Sequence, residues 1–87
     1  MRVHAFDWDE RNVSHIARHG IEPHEAEAAC RGDTVVLRGR EGRYLVYGRT
    51  GAGRYLLMVL QTHGGVVRII TARDMTQGER QLYHRRR

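Results

Sequence analysis

The sequence predicts an α+β fold in which two helices precede a four-stranded antiparallel meander and a third helix ends the chain. Apolar residues recur at helical spacing in the first third of the chain. Short β-branched and apolar runs separated by glycine-rich turns follow, and such short connections make successive strands antiparallel neighbours. A chain of 87 residues is long enough for one hydrophobic core, so we expect a single domain spanning residues 1–87.

The first two helices are indicated by their capping residues. Asp9 is placed to cap a helix from Glu10 to about His19, which Gly20 then ends. Pro23 suits the first turn of a second helix, which Gly32 ends. The inward-facing residues of this second helix are small and allow close approach to a sheet: Ala26, Ala29 and Cys30.

Four strands are predicted at Thr34–Arg38, Arg43–Arg49, Arg54–Thr62 and Val66–Ala72. A short alternating run within Met1–Trp8 would add a fifth strand. The tyrosines on the predicted strands are expected to pack within the sheet rather than to stack on bases: Tyr44, Tyr47 and Tyr55.

The central strand indicates a partner surface. Leu56–Leu60 is apolar at successive positions, so both of its faces need cover. The first two helices cover one face, and the last helix, from about Gln77 to His84, is short, with only Leu82 and Tyr83 as large apolar groups. We therefore expect an apolar patch at which the chain forms a homodimer or binds a partner helix, near three residues: Met58, Leu60 and Met75.

Basic side chains follow the junction between the last strand and the last helix. Thr76 and Glu79 have the spacing of a capping box at the helix start. Arg68 and Arg73 are an odd number of residues apart, so regular alternation places them on opposite strand faces. The tail His84–Arg87 is expected to be frayed and solvated, adding nonspecific affinity for phosphate.

The charge indicates a phosphate-bearing partner. The 15 basic residues are all arginines and outnumber 10 acidic residues, giving a formal net charge of +5. Neutralising phosphates releases condensed counterions, so such domains favour nucleic acid, although an arginine-rich surface is equally a soluble one. Since arginine stays protonated, any proton acceptor must be histidine, tyrosine or a carboxylate.

Several classes of protein are excluded. The single Cys30 rules out an internal disulfide framework and a cysteine-based zinc site. No apolar run approaches the roughly 20 residues that span a bilayer, so we expect a cytoplasmic protein of bacterial type without a membrane partner.

Two arginines form a candidate phosphate site. Arg49 and Arg54 flank a four-residue turn and are expected to face each other, where a bound anion would relieve their repulsion. The alternative leaves them in solvent or paired with a nearby carboxylate: Asp33, Glu41 or Asp74.

Polar residues of the first helix form a candidate groove. Asn12, His15 and His19 lie along one edge of its apolar stripe. The two histidines, four residues apart, would also suit a metal ion, but no glutamate follows in the H-E-x-x-H arrangement and no third ligand has obvious spacing. We therefore predict no metal and no cofactor, and a histidine hydrogen-bonded at the core edge is the simpler role.

Four motifs occur in order along nearly the whole chain, at Phe6–Asp9, Arg18–Ile21, Arg68–Arg73 and Glu79–Tyr83. They resemble the F-x-W-D, basic-H-G-[IV], R-I-I-[ST]-A-R and E-R-x-x-Y motifs of the BrnT-like toxins in the RelE/ParE superfamily. The resemblance implies a RelE-like fold, RNA cleavage without a metal ion, and a cognate antitoxin of the BrnA kind.

The resemblance singles out Arg73 and Tyr83 as catalytic, beside the Arg49 and Arg54 pair, with His19 as a candidate base. Replacing Arg73 is then expected to remove activity with little loss of stability, unless its side chain forms an ion pair with Asp74 or Glu79. Further residues are expected to contact RNA: Arg38, Arg68, Arg80 and His15. The competing interpretation is a catalytically silent RNA- or protein-binding module on the same fold, since a fold does not determine a function.

Overall fold

The computed structural model describes Met1 to Arg87, and its three helices pack on a five-stranded mixed sheet. The elements in chain order are β1 (Ala5–Phe6), α1 (Glu10–Ala17), α2 (Pro23–Arg31), β2 (Thr34–Arg38), β3 (Tyr44–Arg49), β4 (Tyr55–His63), β5 (Val66–Asp74) and α3 (Gln77–Arg86). The strand order is β1-β5-β4-β3-β2, in which β2 to β5 form the antiparallel meander. The predicted α+β class and meander are therefore confirmed. The fifth strand exists, but it is two residues long and runs parallel to β5.

The cap of α1 and its stop at Gly20 are both confirmed, and only the last residues of the predicted helix differ. The Asp9 carboxylate accepts from the backbone N–H groups of Arg11 and Asn12. The helix ends at Ala17 rather than near His19. Gly20 has a φ of 69°, its N–H donates to the Ala17 carbonyl, and the Ile21 N–H donates to the Ile16 carbonyl. These are the bonds of a Schellman cap with Gly20 at the C′ position, as predicted.

The main core lies between the sheet and the first two helices. It contains twelve buried residues, and the small residues of α2 let this helix lie directly on the sheet, as the sequence predicts. Gly48 of β3 marks the closest approach, since a Cβ built there would lie 2.5 Å from the Ala29 carbonyl oxygen. The contact leaves no room for a side chain at this position.

The predicted apolar patch at Met58, Leu60 and Met75 is wrong. Met58 and Leu60 are fully buried because alternation points them into the main core, and Met75 is 8% exposed within a second cluster that includes Tyr83 of α3. A charge at Met58 would therefore disrupt folding rather than assembly. The second face instead leaves Leu45 and Val59 half-buried. Homodimer formation stays a prediction.

The last helix is longer than predicted. It continues through Arg86, so the expected frayed tail is wrong. Its end is held because the Tyr83 hydroxyl donates to the Asp33 carbonyl at 2.6 Å and Arg87 lies 3.6 Å from the Asp33 carboxylate. None of the three helices has the length and apolarity needed to cross a membrane.

An irregularity in β5 changes which arginines share a face. Val59 pairs with Thr71 and Leu60 with Ile69, so Ile70 is an extra residue, a β-bulge. Arg68 and Arg73 consequently both point away from the main core. The prediction of opposite faces is wrong, because regular alternation does not hold across a bulge.

Replacing Gly48 with alanine tests the contact between α2 and the sheet. We expect Gly48→Ala to lower the free energy of unfolding by about 1–3 kcal/mol, since the new methyl group meets backbone atoms of α2. Gly51→Ala is the matched control, because no atom lies within 4 Å of its Cβ position. Equal denaturant midpoints for the two variants would show that α2 moves freely over the sheet.

Candidate nucleic-acid interface

A basic groove of about 610 Å³ lies between α1 and the outer face of the sheet. Its walls carry a single hydrophobic residue. We call it the arginine groove and define it by its five basic residues: Arg11, His15, Arg18, Arg43 and Arg68. The RNA-contact predictions for His15 and Arg68 thus fall in one cavity.

The groove exists because α1 is anchored along the edge of β5. The Asn12 side chain is 3% exposed, and its amide donates to the carbonyls of Asp7 and Ile69 at 2.9 Å each. Arg68 donates to the Asp9 carboxylate at the start of α1. This guanidinium, with help from the Asn12 backbone N–H, holds the pKa of Asp9 below its usual value.

One exposed stripe of α1 forms the first wall. Arg11, His15 and Arg18 follow the i, i+4, i+7 spacing that places side chains on one helix face. His15 was predicted from the sequence to contact RNA, whereas Arg11 and Arg18 were not. The spacing of these basic residues was the signal that would have found them.

Arg43 forms part of the opposite wall and was also missed. Its Nε atom is buried and has no hydrogen-bond partner, the only such side-chain atom in the structure. No carboxylate lies within 4 Å of the guanidinium groups of Arg11, Arg18 or Arg43. Since an unpaired buried donor is costly, an anion in the groove would stabilise this arrangement.

The predicted pairing of Arg49 with Arg54 is wrong. The strand register places Arg49 opposite Tyr55. Arg54 lies one residue outside β4 and donates to Asp74 at 2.8 and 3.1 Å and to Glu25 at 3.2 Å. The alternative ion pair with Asp74 is therefore confirmed, and it raises the pKa of Arg54 while lowering that of Asp74.

His19 lies outside the groove. It follows the end of α1 and is exposed, and its backbone carbonyl accepts from Arg54 at 3.4 Å. The structure therefore separates His19 from His15. No group of three or more histidine, cysteine, aspartate or glutamate side chains is arranged to hold a metal ion.

Arg73 and Tyr83 are both engaged within the molecule. Arg73 forms two parallel hydrogen bonds with Glu79, at 2.7 and 2.8 Å, which join β5 to α3. This pairing lowers the pKa of Glu79 to about 2 and raises that of Arg73. Tyr83 is 1% exposed, and burial raises the pKa of its hydroxyl.

A second basic surface surrounds Tyr55. The guanidinium carbons of Arg80 and Arg49 lie 4.2 and 5.4 Å from the centre of its ring. Tyr83 and His84 contact the same ring edge-on. We call these five residues the Tyr55 cluster.

The three strand tyrosines pack as predicted. Tyr47 is 7% exposed in the second core cluster, Tyr44 packs on the main core, and Tyr55 packs on the second cluster. Arg38, at the end of β2, is exposed and lies outside the arginine groove.

A groove in which three arginines lack carboxylate partners is typical of small domains that bind phosphate-bearing ligands. The family model described as "Ribonuclease toxin, BrnT, of type II toxin-antitoxin system" matches residues 8–79, and the chain belongs to this family. A search of curated proteins finds no match. The resemblance seen in the sequence is confirmed, and the family implies RNA as substrate and an antitoxin as partner. The match ends at Glu79, so Arg80 and Tyr83 of the fourth motif lie beyond it.

The pairing of Arg73 with Glu79 makes stability depend on pH in a defined direction. Because the pKa of Glu79 falls from 4.5 to about 2, its ionised form stabilises the fold above pH 4.5. That contribution is lost as the pH falls towards 2. We expect the difference in Tm between wild type and Glu79→Gln to be largest above pH 4.5 and to vanish near pH 2.

A double-mutant cycle supplies the control for this dependence. In an Arg73→Met background, adding Glu79→Gln should produce a much smaller pH-dependent change, because the charge that perturbs Glu79 is gone. An undiminished pH dependence in that background would contradict the assignment.

Proposed function

We propose that this protein cleaves RNA without a metal ion, that it binds the RNA backbone in the arginine groove, and that its fold is of the RelE-like kind. One observation carries the proposal. Arg11, Arg18 and Arg43 converge on one cavity without a carboxylate partner, and the Nε atom of Arg43 is buried and unpaired. Guanidinium groups recognise phosphate through paired hydrogen bonds, so the cavity suits consecutive phosphates of an RNA strand.

Metal-independent RNA cleavage needs an acceptor for the 2′-hydroxyl proton and positively charged groups around the reacting phosphate. The 2′-oxygen of one nucleotide attacks the adjacent phosphorus while the bond to the 5′-oxygen of the next nucleotide breaks. The products are a 2′,3′-cyclic phosphate and a free 5′-hydroxyl. We assign His15 as the acceptor of the 2′-hydroxyl proton, because it is the one imidazole in the groove. The arginines stabilise the charge that develops on the phosphate oxygens, and solvent protonates the leaving oxygen.

The other candidate residues take supporting roles in this proposal. Arg54 and Arg73 act as positioning residues. Arg54 donates to the carbonyls of His19 and Gly20 in the turn after α1, and the ion pair of Arg73 holds the start of α3. Tyr83 positions α3 through its bond to Asp33. Arg49 and Arg80, which lack carboxylate partners, extend the RNA-binding surface over the Tyr55 cluster. An acidic or amphipathic antitoxin of the BrnA kind would hold the protein inactive by covering these arginines.

A specific observation favours the catalytically silent alternative. Three residues expected to be catalytic have their polar groups satisfied inside the molecule: Arg54, Arg73 and Tyr83. Induced expression in bacteria separates the two functions. Growth arrest with loss of RNA supports the ribonuclease, whereas normal growth with tight RNA binding supports the module.

Replacing Arg43 tests the groove as the site of cleavage. We expect Arg43→Met to lower the cleavage rate by roughly 10²–10³, since it removes a charged donor while keeping an aliphatic side chain of similar length. The assay is single-turnover cleavage of an unstructured RNA in the presence of a chelator. Arg86→Ala is the control, because Arg86 is exposed, unpaired and outside the groove.

Two outcomes would contradict the proposal. An equal rate for Arg43→Met and wild type would move the chemistry away from the groove. Loss of wild-type cleavage in the chelator, with recovery on adding Mg²⁺, would overturn metal independence.

A further inference from the structure

A second cavity adjoins the arginine groove. It measures about 380 Å³ and lies between the β2–β3 turn and the half-buried pair Leu45 and Val59. Its volume falls within the range of pockets that hold small organic groups. Arg43 lines both cavities, so a ligand in this pocket lies beside a phosphate bound in the groove.

The floor of this pocket is apolar. Leu45 and Val59 are directly opposite each other on β3 and β4. They belong to the sheet face that lies opposite the main core, and both remain half-buried. A flat aliphatic surface of this kind suits the face of a planar ring, because ring burial gains free energy without a hydrogen bond.

The rim of the pocket carries an unusual backbone conformation. Glu41 has a φ of 57° and is the only residue other than glycine with a positive φ. Glutamate is disfavoured there, and glycine, asparagine or aspartate would fit such a turn with less strain. Strained backbone positions cluster at functional sites, and Glu41 lines this pocket. The Glu41 carboxylate also has no ion pair, in a chain with 15 arginines.

The pocket presents a donor and an acceptor at neighbouring positions. Arg40 offers only N–H donors, and Glu41 offers only carboxylate acceptors. Among the RNA bases, guanine alone has a Watson–Crick edge with one acceptor, O6, followed by two adjacent donors, N1–H and N2–H. Adenine, cytosine and uracil would each place a lone pair against the second carboxylate oxygen.

We propose that this pocket binds a guanine base of the RNA whose phosphates lie in the arginine groove. Glu41 accepts from N1–H and N2–H, Arg40 donates to O6, and the ring lies on Leu45 and Val59. The inference rests on RNA binding in the groove as proposed above, and it makes Glu41 the residue that determines base specificity.

The test measures binding rather than cleavage, so that it can be read even if the protein is not a ribonuclease. Four short single-stranded RNAs carry one variable base in a uridine background, with 2′-O-methyl groups that block strand cleavage. We expect wild type to bind the guanine RNA about tenfold more tightly than the others, since a good bidentate contact discriminates by about that factor. Glu41→Gln should reduce this preference to near unity.

Two variants serve as controls. Glu41→Gly fits the left-handed backbone better, so it should keep or raise the Tm while losing the preference, which separates recognition from folding. Glu10→Gln removes a carboxylate from the wall of the arginine groove instead. It should strengthen binding of all four RNAs and leave the guanine preference intact.

The outcomes are distinct. Equal binding of the four RNAs by wild type, or an unchanged preference in Glu41→Gln, overturns the guanine pocket and leaves the groove proposal standing. A guanine preference without cleavage of an unmodified RNA retains the pocket and rejects the ribonuclease proposal. Binding of guanosine monophosphate as tightly as the guanine RNA would assign the pocket to a free nucleotide and overturn the RNA assignment.

Discussion

The amide of Asn12 joins the loop after β1 to the backbone of β5, on the edge of β5 that β1 no longer covers. Its two N–H donors satisfy the carbonyls of Asp7 and Ile69, and its oxygen accepts the N–H of Asp9. The side chain is buried, so water cannot replace these bonds without a cost in free energy. Asn12 therefore anchors the start of α1 against β5, and α1 forms one wall of the arginine groove.

The arginines have two physical roles, and Arg68 has both, because it is ion-paired and also lines the groove. Four form ion pairs: Arg54, Arg68, Arg73 and Arg87. The pairs of Arg54, Arg68 and Arg87 reach segments that are distant in sequence, and the pair of Arg73 joins β5 to α3. These ion pairs therefore hold the elements of the fold together. Arg11, Arg18 and Arg43, which have no ion pair, line the groove between elements that these ion pairs hold in place. The same residue type, arginine, therefore both stabilises the fold and forms the candidate binding surface.

Features determined by near neighbours could be predicted from the sequence. The caps at Asp9 and Thr76 depend on residues within three positions, and both are present. The meander follows from short turns, and the α+β class follows from the meander. The family could be recognised because its motifs combine such local signals in a fixed order.

Features that depend on distant contacts could not be predicted. The bulge at Ile70 arises from pairing with β4, and nothing in the local sequence marks it. Asp74 was among the partners considered for Arg54, but Glu25 lies on α2, and the turn residues beside Arg54 did not reveal it. Arg43 could not be assigned to the groove, because its neighbour across the cavity is α1, far earlier in the chain.

The Asn12 bond also has a consequence for synthesis. Its donor and the Ile69 carbonyl are 57 residues apart, and β5 is the last strand to leave the ribosome. Until β5 has emerged, α1 has no edge to lie against, and its stripe of basic residues does not face a second wall. A ribosome-bound chain that lacks this strand therefore holds no groove. The binding surface is assembled only when translation of the protein is nearly complete, at the stage when its own messenger RNA has already been read.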